Sequence, residues 1–205
     1  MTRAQLAQAR PDLANANADY TFASQLRDVL SNSKGRPKVL GAQPHGQTGG
    51  IRAAGSIAAE AVARAEPVMQ AYAARIVHVG AAGAGQRTKM VNQICIAGVL
   101  QGLSEAVRFA QKADLDLDKV LEAVSGGAAQ SWQMVNRWPT MTKGEFDFGF
   151  AIDWMRKDLG LALDEGGRIG ATLPMTALVD QFYAEVQAMG GGRQDTSALV
   201  RRLGK

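Results

Sequence analysis

Hydrophobic positions recur at helical spacing over the longest patterned stretch of the chain, from Gln86 to about Lys112. A spacing of three or four residues places apolar side chains along one face of a helix. The residues that follow this spacing are Met90, Val91, Ile94, Ala97, Val99, Leu100, Leu103, Val107 and Ala110. We expect so long a helix to run through the centre of a domain, and the chain after Gly85 to be helical throughout.

Breaks and caps divide the remainder of this region into shorter helices. Asp116 is a candidate N-cap, and Gly126 with Gly127 would provide a left-handed stop for the helix that follows it. A helix that begins at Ser131 is expected to end at Pro139, because proline lacks the backbone N–H that continues a helix. Further helices are predicted over about 152–168, with Gly170 just past the end, and over 174–189, opened by Pro174. A final helix is predicted over 196–203, capped by Asp195 or Thr196.

The pattern changes before this region. Residues 1–65 contain only short helical patches, interrupted by SNSKGRPK and PHGQTGG, so we predict a weakly ordered arm there. Pro67 is expected to open a helix that runs through Ala74. The β-branched run from Arg75 to Val79 predicts one strand, because Gly80 ends it and β-branched residues favour strands.

The composition is that of an ordinary globular protein, with 46% hydrophobic and 20% charged residues. The 23 basic residues are scattered along the chain and nearly matched by 19 acidic ones, which leaves a net charge of +4. A nucleic-acid-binding surface would require the basic residues to cluster. We therefore expect no nucleic-acid partner.

The single cysteine, Cys95, has no partner in the chain, so the sequence favours a reducing compartment. The first residues, MTRAQLAQARPDL, contain no apolar signal region, and no uninterrupted apolar run approaches the roughly 18 residues of a membrane span. We expect a cytoplasmic protein with no membrane partner and no metal site.

A glycine-rich turn, Gly80–Gly85, lies between the predicted strand and the long helix, where a dinucleotide-binding turn would also lie. The order of its glycines differs from G-x-G-x-x-G, and Thr88 stands where the third glycine would fall. Either this turn contacts a cofactor phosphate, or its glycines only allow a tight connection from strand to helix.

Three polar residues follow this turn on one face of the long helix. Lys89 lies in its first turns, with Asn92 three residues later and Gln93 four residues later. Such a cluster is either a solvated helix face or a site in which amides hold the oxygens of a hydroxy acid and the ammonium protonates a developing alkoxide.

Five sequence blocks occur in the order and spacing of the C-terminal domain of β-hydroxyacid dehydrogenases. They are GAAGAGQRTKMVNQ, SGGAAQSW, FGFAIDWMRKDLGLAL, LPMTALVDQFYAEV and GGGRQDTSALV. Residues 66–205 therefore resemble the family of 3-hydroxyisobutyrate dehydrogenase and tartronate semialdehyde reductase. The resemblance implies a mainly α domain, of the type found at the C-terminus of 6-phosphogluconate dehydrogenase, that packs on a Rossmann domain and forms a homo-oligomer.

The resemblance also implies roles for individual residues. Lys89 matches the lysine that transfers a proton to or from the substrate, and Lys157 matches a lysine directed toward NAD or NADP. The positions that match substrate-binding residues are Asn92, Gln93, Phe150 and Asp158. From the residues alone, Phe150 could equally be a core residue, and Lys157 and Asp158 could be surface charges on an amphipathic helix.

The nucleotide-binding half of the family has no counterpart among residues 1–65. Two mononucleotide-binding halves need well over 100 residues, and only 79 precede Gly80. We therefore expect an NAD(P)-dependent oxidoreductase that acts on a small β-hydroxyacid or its semialdehyde and lacks its Rossmann domain. The alternative is a non-catalytic oligomerisation or binding module derived from that family.

Overall fold

The computed structural model of the chain describes residues 51–55, 59–70 and 73–204. Most of the predicted arm, residues 1–50, lies outside the described residues. The chain forms two compact units that divide between Lys89 and Met90, and each unit is described by itself.

The described part of the first unit is a strand–helix–strand arrangement. Strand β1 (Ile51–Gly55) pairs in parallel with strand β2 (Ala73–His78), and helix α1 (Ala59–Met69) connects them. Parallel strands cannot be joined by a tight hairpin, so a crossover helix is the expected connection. The buried face of α1 consists of Val62, Ala65 and Met69, with Ile76 of β2 packed against it.

This arrangement corrects two expectations for the first unit. The described residues contain two strands where one was expected, while the division of the chain expected between residues 65 and 66 stays a prediction. The helix expected from Pro67 to Ala74 instead ends at Met69, with Pro67 near its C-terminal end. Pro67 is tolerated because the carbonyl that loses its N–H partner belongs to the exposed Ala63 and can bind water.

The long helix is confirmed and becomes α2 (Ala84–Lys112), which begins two residues before the expected start. Its buried face in the second unit supplies the centre of the core, with Ala97, Leu100, Leu103, Val107 and Ala110. In length and composition α2 also meets the criteria for a membrane span, as the central helix of a globular core commonly does. No other helix among the described residues meets these criteria.

Four further helices and a 3₁₀ helix complete the second unit, in agreement with the predicted mainly α class. They are α3 (Leu117–Val124), α4 (Trp132–Lys143), α5 (Ile152–Ile169), α6 (Pro174–Ala188) and the 3₁₀ helix Thr196–Leu203. The largest side chains fully buried among them are those of Trp138, Tyr183, Ile152, Met155, Leu159 and Leu199.

The predicted bounds of α3, Leu117 to Val124, are confirmed, whereas the left-handed conformation predicted for its stop is wrong. The carboxylate of Asp116 accepts hydrogen bonds from the backbone N–H groups of Asp118 and Lys119, at 3.2 and 3.1 Å. The helix ends at Ser125 in a right-handed conformation, with its N–H bonded to the Leu121 carbonyl. Gly126 is therefore not required to take up a left-handed conformation.

Helix α4 continues past Pro139, which corrects the predicted end at that residue. It runs to Lys143 and ends at Gly144, whose φ of 77° is left-handed. Trp138 and Met141 lie on either side of the proline and are both buried in the core. Burying two large side chains contributes several kcal/mol, which offsets the roughly 3 kcal/mol that an interior proline costs.

Candidate active site

A buried amide–carboxylate pair joins α2 to α5 in the second unit. The side chains belong to Gln93 and Asp158, whose exposed fractions are 1% and 4%. The Nε2 of Gln93 donates to Oδ2 of Asp158 at 2.9 Å and lies 3.8 Å from the sulfur of Met155. The sequence placed both residues in the substrate site, and the structure brings them together.

The third polar residue of this cluster fixes the orientation of the Gln93 amide. Asn92 Nδ2 donates to Gln93 Oε1 at 3.0 Å. Because an ionised carboxylate only accepts hydrogen bonds, the NH₂ group of Gln93 must face Asp158 and its oxygen must face Asn92. Asn92, Gln93 and Asp158 therefore form one directional chain of donors and acceptors.

Lys157 lies beside this chain and points outward. Its Nζ is 3.4 Å from Oδ1 of Asp158 and 5.3 Å from the centre of the Trp154 ring, while 54% of its side chain is exposed. Successive residues of a helix point about 100° apart, so a buried carboxylate and an exposed ammonium can be neighbours. The geometry leaves Lys157 accessible to a ligand, and its role toward a cofactor stays a prediction.

Lys89 precedes Asn92 by three residues and Gln93 by four on the continuous helix α2, so the three positions share one helix face. The side chain of Lys89 is partly buried. The division between the two units follows this residue directly. Its role in proton transfer stays a prediction.

The glycine-rich turn before α2 has backbone conformations that side chains rarely permit. Gly80 has a φ of 146° and Gly83 a φ of 93°. The N–H of Ala84 donates to the carbonyl of Ala81 at 2.9 Å, which closes the turn into the helix. These two glycines are needed for the tight connection itself, as the second of the two interpretations requires.

The described contacts of Phe150 are with the core and with the segment around Asp195, and its role toward a substrate stays a prediction. Its half-buried ring packs against the core. Its N–H donates to Oδ2 of Asp195 at 3.0 Å, and its carbonyl accepts from the N–H of Thr196 at 2.9 Å. The backbone of Phe150 is therefore held by the segment that begins the 3₁₀ helix.

Sequence reasoning identified Asp195 only as a helix cap and did not identify its partner, Arg137. Asp195 is fully buried and accepts from Arg137 Nε at 3.0 Å, and from the N–H and Oγ of Ser197 at 3.0 and 2.7 Å. The guanidinium of Arg137 lies over the rings of Trp132 and Phe148, at 4.8 and 5.0 Å from their centres.

The only local signal for this cluster was an arginine among aromatic residues in SWQMVNRW. The carboxylate that completes it lies 58 residues further along the chain, beyond the range of a sequence pattern.

Within the described residues, no group of three or more His, Cys, Asp or Glu side chains could hold a metal ion.

Residues 83–203, more than half of the chain, match the family model described as NAD-binding of NADP-dependent 3-hydroxyisobutyrate dehydrogenase. The chain belongs to this family. The resemblance of its sequence blocks to β-hydroxyacid dehydrogenases is thereby confirmed, and so is the expectation of an oxidoreductase family that uses NAD or NADP.

Individual relatives agree with this assignment. The chain is 64% identical over 140 residues to an uncharacterised oxidoreductase of Shewanella frigidimarina, an alignment that covers 68% of this chain and 48% of that protein. It is 37% identical over 140 residues to 2-hydroxy-3-oxopropionate reductase of Escherichia coli, with coverages of 68% and 48%. The chain thus spans about half the length of these relatives.

A solved structure shows the same fold. The 3-hydroxyisobutyrate dehydrogenase of Mycobacterium tuberculosis, determined with L-serine, matches with a TM-score of 0.72 and 28% identity. The match covers 82% of this chain and 60% of that one.

Proposed function

We propose that this chain supplies the proton-transfer and substrate-binding half of an NAD(P)-dependent dehydrogenase for a small β-hydroxyacid or its semialdehyde. The observation that carries the proposal is the buried hydrogen bond between Gln93 and Asp158, one helical turn after Lys89 in a domain of the dehydrogenase family. A buried polar chain next to a lysine fits a site that must hold and orient a polar substrate.

The roles follow from the chemistry of each group. Lys89 takes the hydroxyl proton when the alcohol is oxidised and returns it to the alkoxide when the carbonyl is reduced. Asn92, Gln93 and Asp158 orient the substrate hydroxyl and carboxylate, and Phe150 closes the site. When bound, the nicotinamide accepts or supplies the hydride. Lys157, with its accessible ammonium, fits an anionic group of that cofactor.

The test is a chimera that joins the nucleotide-binding half of a relative to this chain. NAD- and NADP-dependent oxidation of 3-hydroxyisobutyrate and glycerate would be measured. Lys89→Ala should lower kcat about 10²- to 10⁴-fold with the cofactor KM nearly unchanged, because only the group that accepts the substrate's hydroxyl proton is lost. Lys89→Arg should not restore turnover, because a guanidinium keeps its proton near neutral pH.

Lys119→Ala is the matched control, since that lysine is 80% exposed and pairs only with Asp116 at the surface among its described contacts. Its turnover should equal that of the unmodified chimera. Equal turnover of the Lys89→Ala and unmodified chimeras would remove Lys89 from the mechanism.

A second candidate function is an assembly module without catalysis. Large apolar side chains on the outer face of α2 favour it, since Val91 is 59% exposed and Phe109 is 74% exposed. An inactive chimera that binds neither NAD nor NADP, together with self-association of the chain in sedimentation equilibrium, would support this candidate over the enzyme.

A further inference from the structure

A cleft of about 800 Å³ opens at the C-terminal end of α2, within the second unit. Four basic residues line it: Arg108 and Lys112 on α2, Lys143 at the end of α4, and Arg201 on the 3₁₀ helix. None of the described residues that line the cleft is acidic. The described lining therefore carries four basic side chains and no acidic one.

The two arginines of the cleft contact neutral groups. Arg108 donates through Nη1 to the Gln111 side chain at 2.6 Å and through Nη2 to the Val200 carbonyl at 3.3 Å. Arg201 donates to the side-chain oxygen of Gln194 and to the Met189 carbonyl. The Nε of Arg108 is buried and has no hydrogen-bond partner among the described residues.

Other arginines of the same unit are paired with carboxylates. Arg137, Arg156, Arg168 and Arg202 each form a salt bridge with an aspartate or glutamate. The contrast is sharpest between neighbours, because Arg202 pairs with Glu185 at 3.0 Å whereas Arg201 contacts the Gln194 amide. Arg108 and Arg201 therefore differ from these four arginines, because their described partners are neutral.

The C-terminal ends of helices explain why some of these basic residues stand in the cleft. Lys112 and Lys143 lie in the last turns of α2 and α4, where the partial negative charge of the helix end favours a cation. Arg201 likewise lies in the last turn of the 3₁₀ helix, so this effect leaves only Arg108, a turn earlier in α2, unexplained. Burial lowers the pKa of Arg108 below its ordinary value, because partial removal of the guanidinium from water disfavours its charged form.

We propose that this cleft binds a small organic molecule that carries phosphate groups. Guanidinium and ammonium groups are the usual partners of phosphate oxygens, and a multiply charged anion would offset the repulsion among the cations. The volume lies in the range of small-molecule sites, and the half-exposed side chain of Met189 offers an apolar wall to the organic part.

This site is separate from the proposed active site. Arg108 lies 15 residues after Gln93 on the same helix, a distance of about 22 Å at 1.5 Å per residue. None of the residues assigned to substrate, proton transfer or cofactor lines the cleft. Binding in the cleft can therefore be tested without any activity measurement.

The test is titration calorimetry of the full 205-residue chain with inorganic pyrophosphate at constant ionic strength. We expect one site per chain, with binding at least tenfold weaker in Arg108→Gln and Arg201→Gln. Lys143→Gln, at an exposed position that cannot disturb folding, should weaken binding several-fold. Arg168→Gln, an exposed arginine outside the cleft, is the matched control and should bind like the unmodified chain.

Unchanged binding in Lys143→Gln and in whichever folded arginine variant is obtained would overturn the proposal. So would the absence of pyrophosphate binding at millimolar concentration. Citrate that binds as tightly as pyrophosphate would show that the cleft accepts anions of any class and would overturn the assignment to phosphate.

Discussion

Two aspartates of the second unit are both buried but are held in different ways. Asp195 accepts backbone N–H groups from Phe150 and Ser197, in addition to the guanidinium of Arg137. The described partners of Asp158 are side chains, namely the amide of Gln93 and the ammonium of Lys157. A backbone donor moves only if the chain moves, whereas a side-chain donor can rotate away.

This difference separates a structural link from a candidate site. Asp195 ties together α4, the loop before α5 and the 3₁₀ helix, so its geometry is fixed by three segments of chain. Asp158 lies at the end of a chain of side-chain donors that begins at Asn92. Asp195 is therefore held by three segments of chain, whereas the described hydrogen bond of Asp158 comes from a side chain.

The largest expected effect comes from removing each carboxylate in turn. Asp195→Ala should lower the free energy of unfolding by about 3–5 kcal/mol, because it leaves the largely buried Arg137 guanidinium without its partner and removes a helix cap. Asp158→Ala should cost about 1–3 kcal/mol, since it leaves the buried Gln93 amide without its acceptor. Urea unfolding followed by circular dichroism measures both.

Glu185→Ala provides the control for an exposed carboxylate, because its partner Arg202 is 16% exposed, as Arg137 is, while Glu185 itself is 52% exposed. Water can replace the Glu185 carboxylate, so its loss should cost less than that of Asp195, about 1 kcal/mol. Equal losses of stability in Asp195→Ala and Asp158→Ala would mean that the two carboxylates do not differ as the contacts suggest.

The distance along the chain between interacting residues explains how much of the structure could be predicted from the sequence. The cap at Asp116, the start at Pro174 and the left-handed end at Gly170 were predictable, because each depends on a few adjacent residues. The continuation of α4 through Pro139 was not, since it depends on tertiary burial.

Pairing between residues far apart in the chain set the other limits on what could be predicted from the sequence. The bond between Gln93 and Asp158 could be anticipated only because family resemblance assigned both residues to one site. The resemblance assigned no role to Arg137 or Asp195, and their pairing joins segments 58 residues apart. The parallel pairing of β1 with β2 was likewise invisible in sequence, because it depends on contacts across a helix.

A second prediction concerns Gly149, which lies in the loop before α5 and comes close to the Asp195 carboxylate. Gly149 has a φ of 71°, and a β-carbon added there would overlap Oδ2 of Asp195. Gly149→Ala should therefore destabilise the chain by about 2–4 kcal/mol, from the left-handed backbone and from displacement of the carboxylate. Thermal or urea unfolding of the variant gives the value.

Gly144→Ala is a close match, because its φ is 77° and an added β-carbon would meet no atom within 4 Å. It should carry only the backbone strain, about 1–2 kcal/mol. A loss in Gly149→Ala no greater than in Gly144→Ala would show that the loop can move away from Asp195, which would weaken the view of that carboxylate as a fixed link.

The smallest effect is expected at a residue whose ionisation responds to Asp195. Tyr183 is fully buried, and its hydroxyl has no hydrogen-bond partner among the described residues. Burial raises the pKa of Tyr183 far above its ordinary value, and the negative charge of Asp195 adds to this shift. The hydroxyl thus stays neutral in the folded chain at a pH at which the phenol of the unfolded chain ionises.

Tyr183→Phe should be neutral or stabilising by up to about 1 kcal/mol at pH 8, because it removes a buried hydroxyl that gains no hydrogen bond. In the unfolded chain this phenol ionises near pH 10, whereas in the folded chain it cannot. The stability of the unmodified chain therefore falls as the pH rises above about 10, by roughly 1.4 kcal/mol per unit from this residue. The advantage of Tyr183→Phe should widen by about 1.4 kcal/mol between pH 8 and pH 11 in urea unfolding. A constant difference across that range would mean that the folded chain can ionise Tyr183, contrary to its burial beside a charged Asp195.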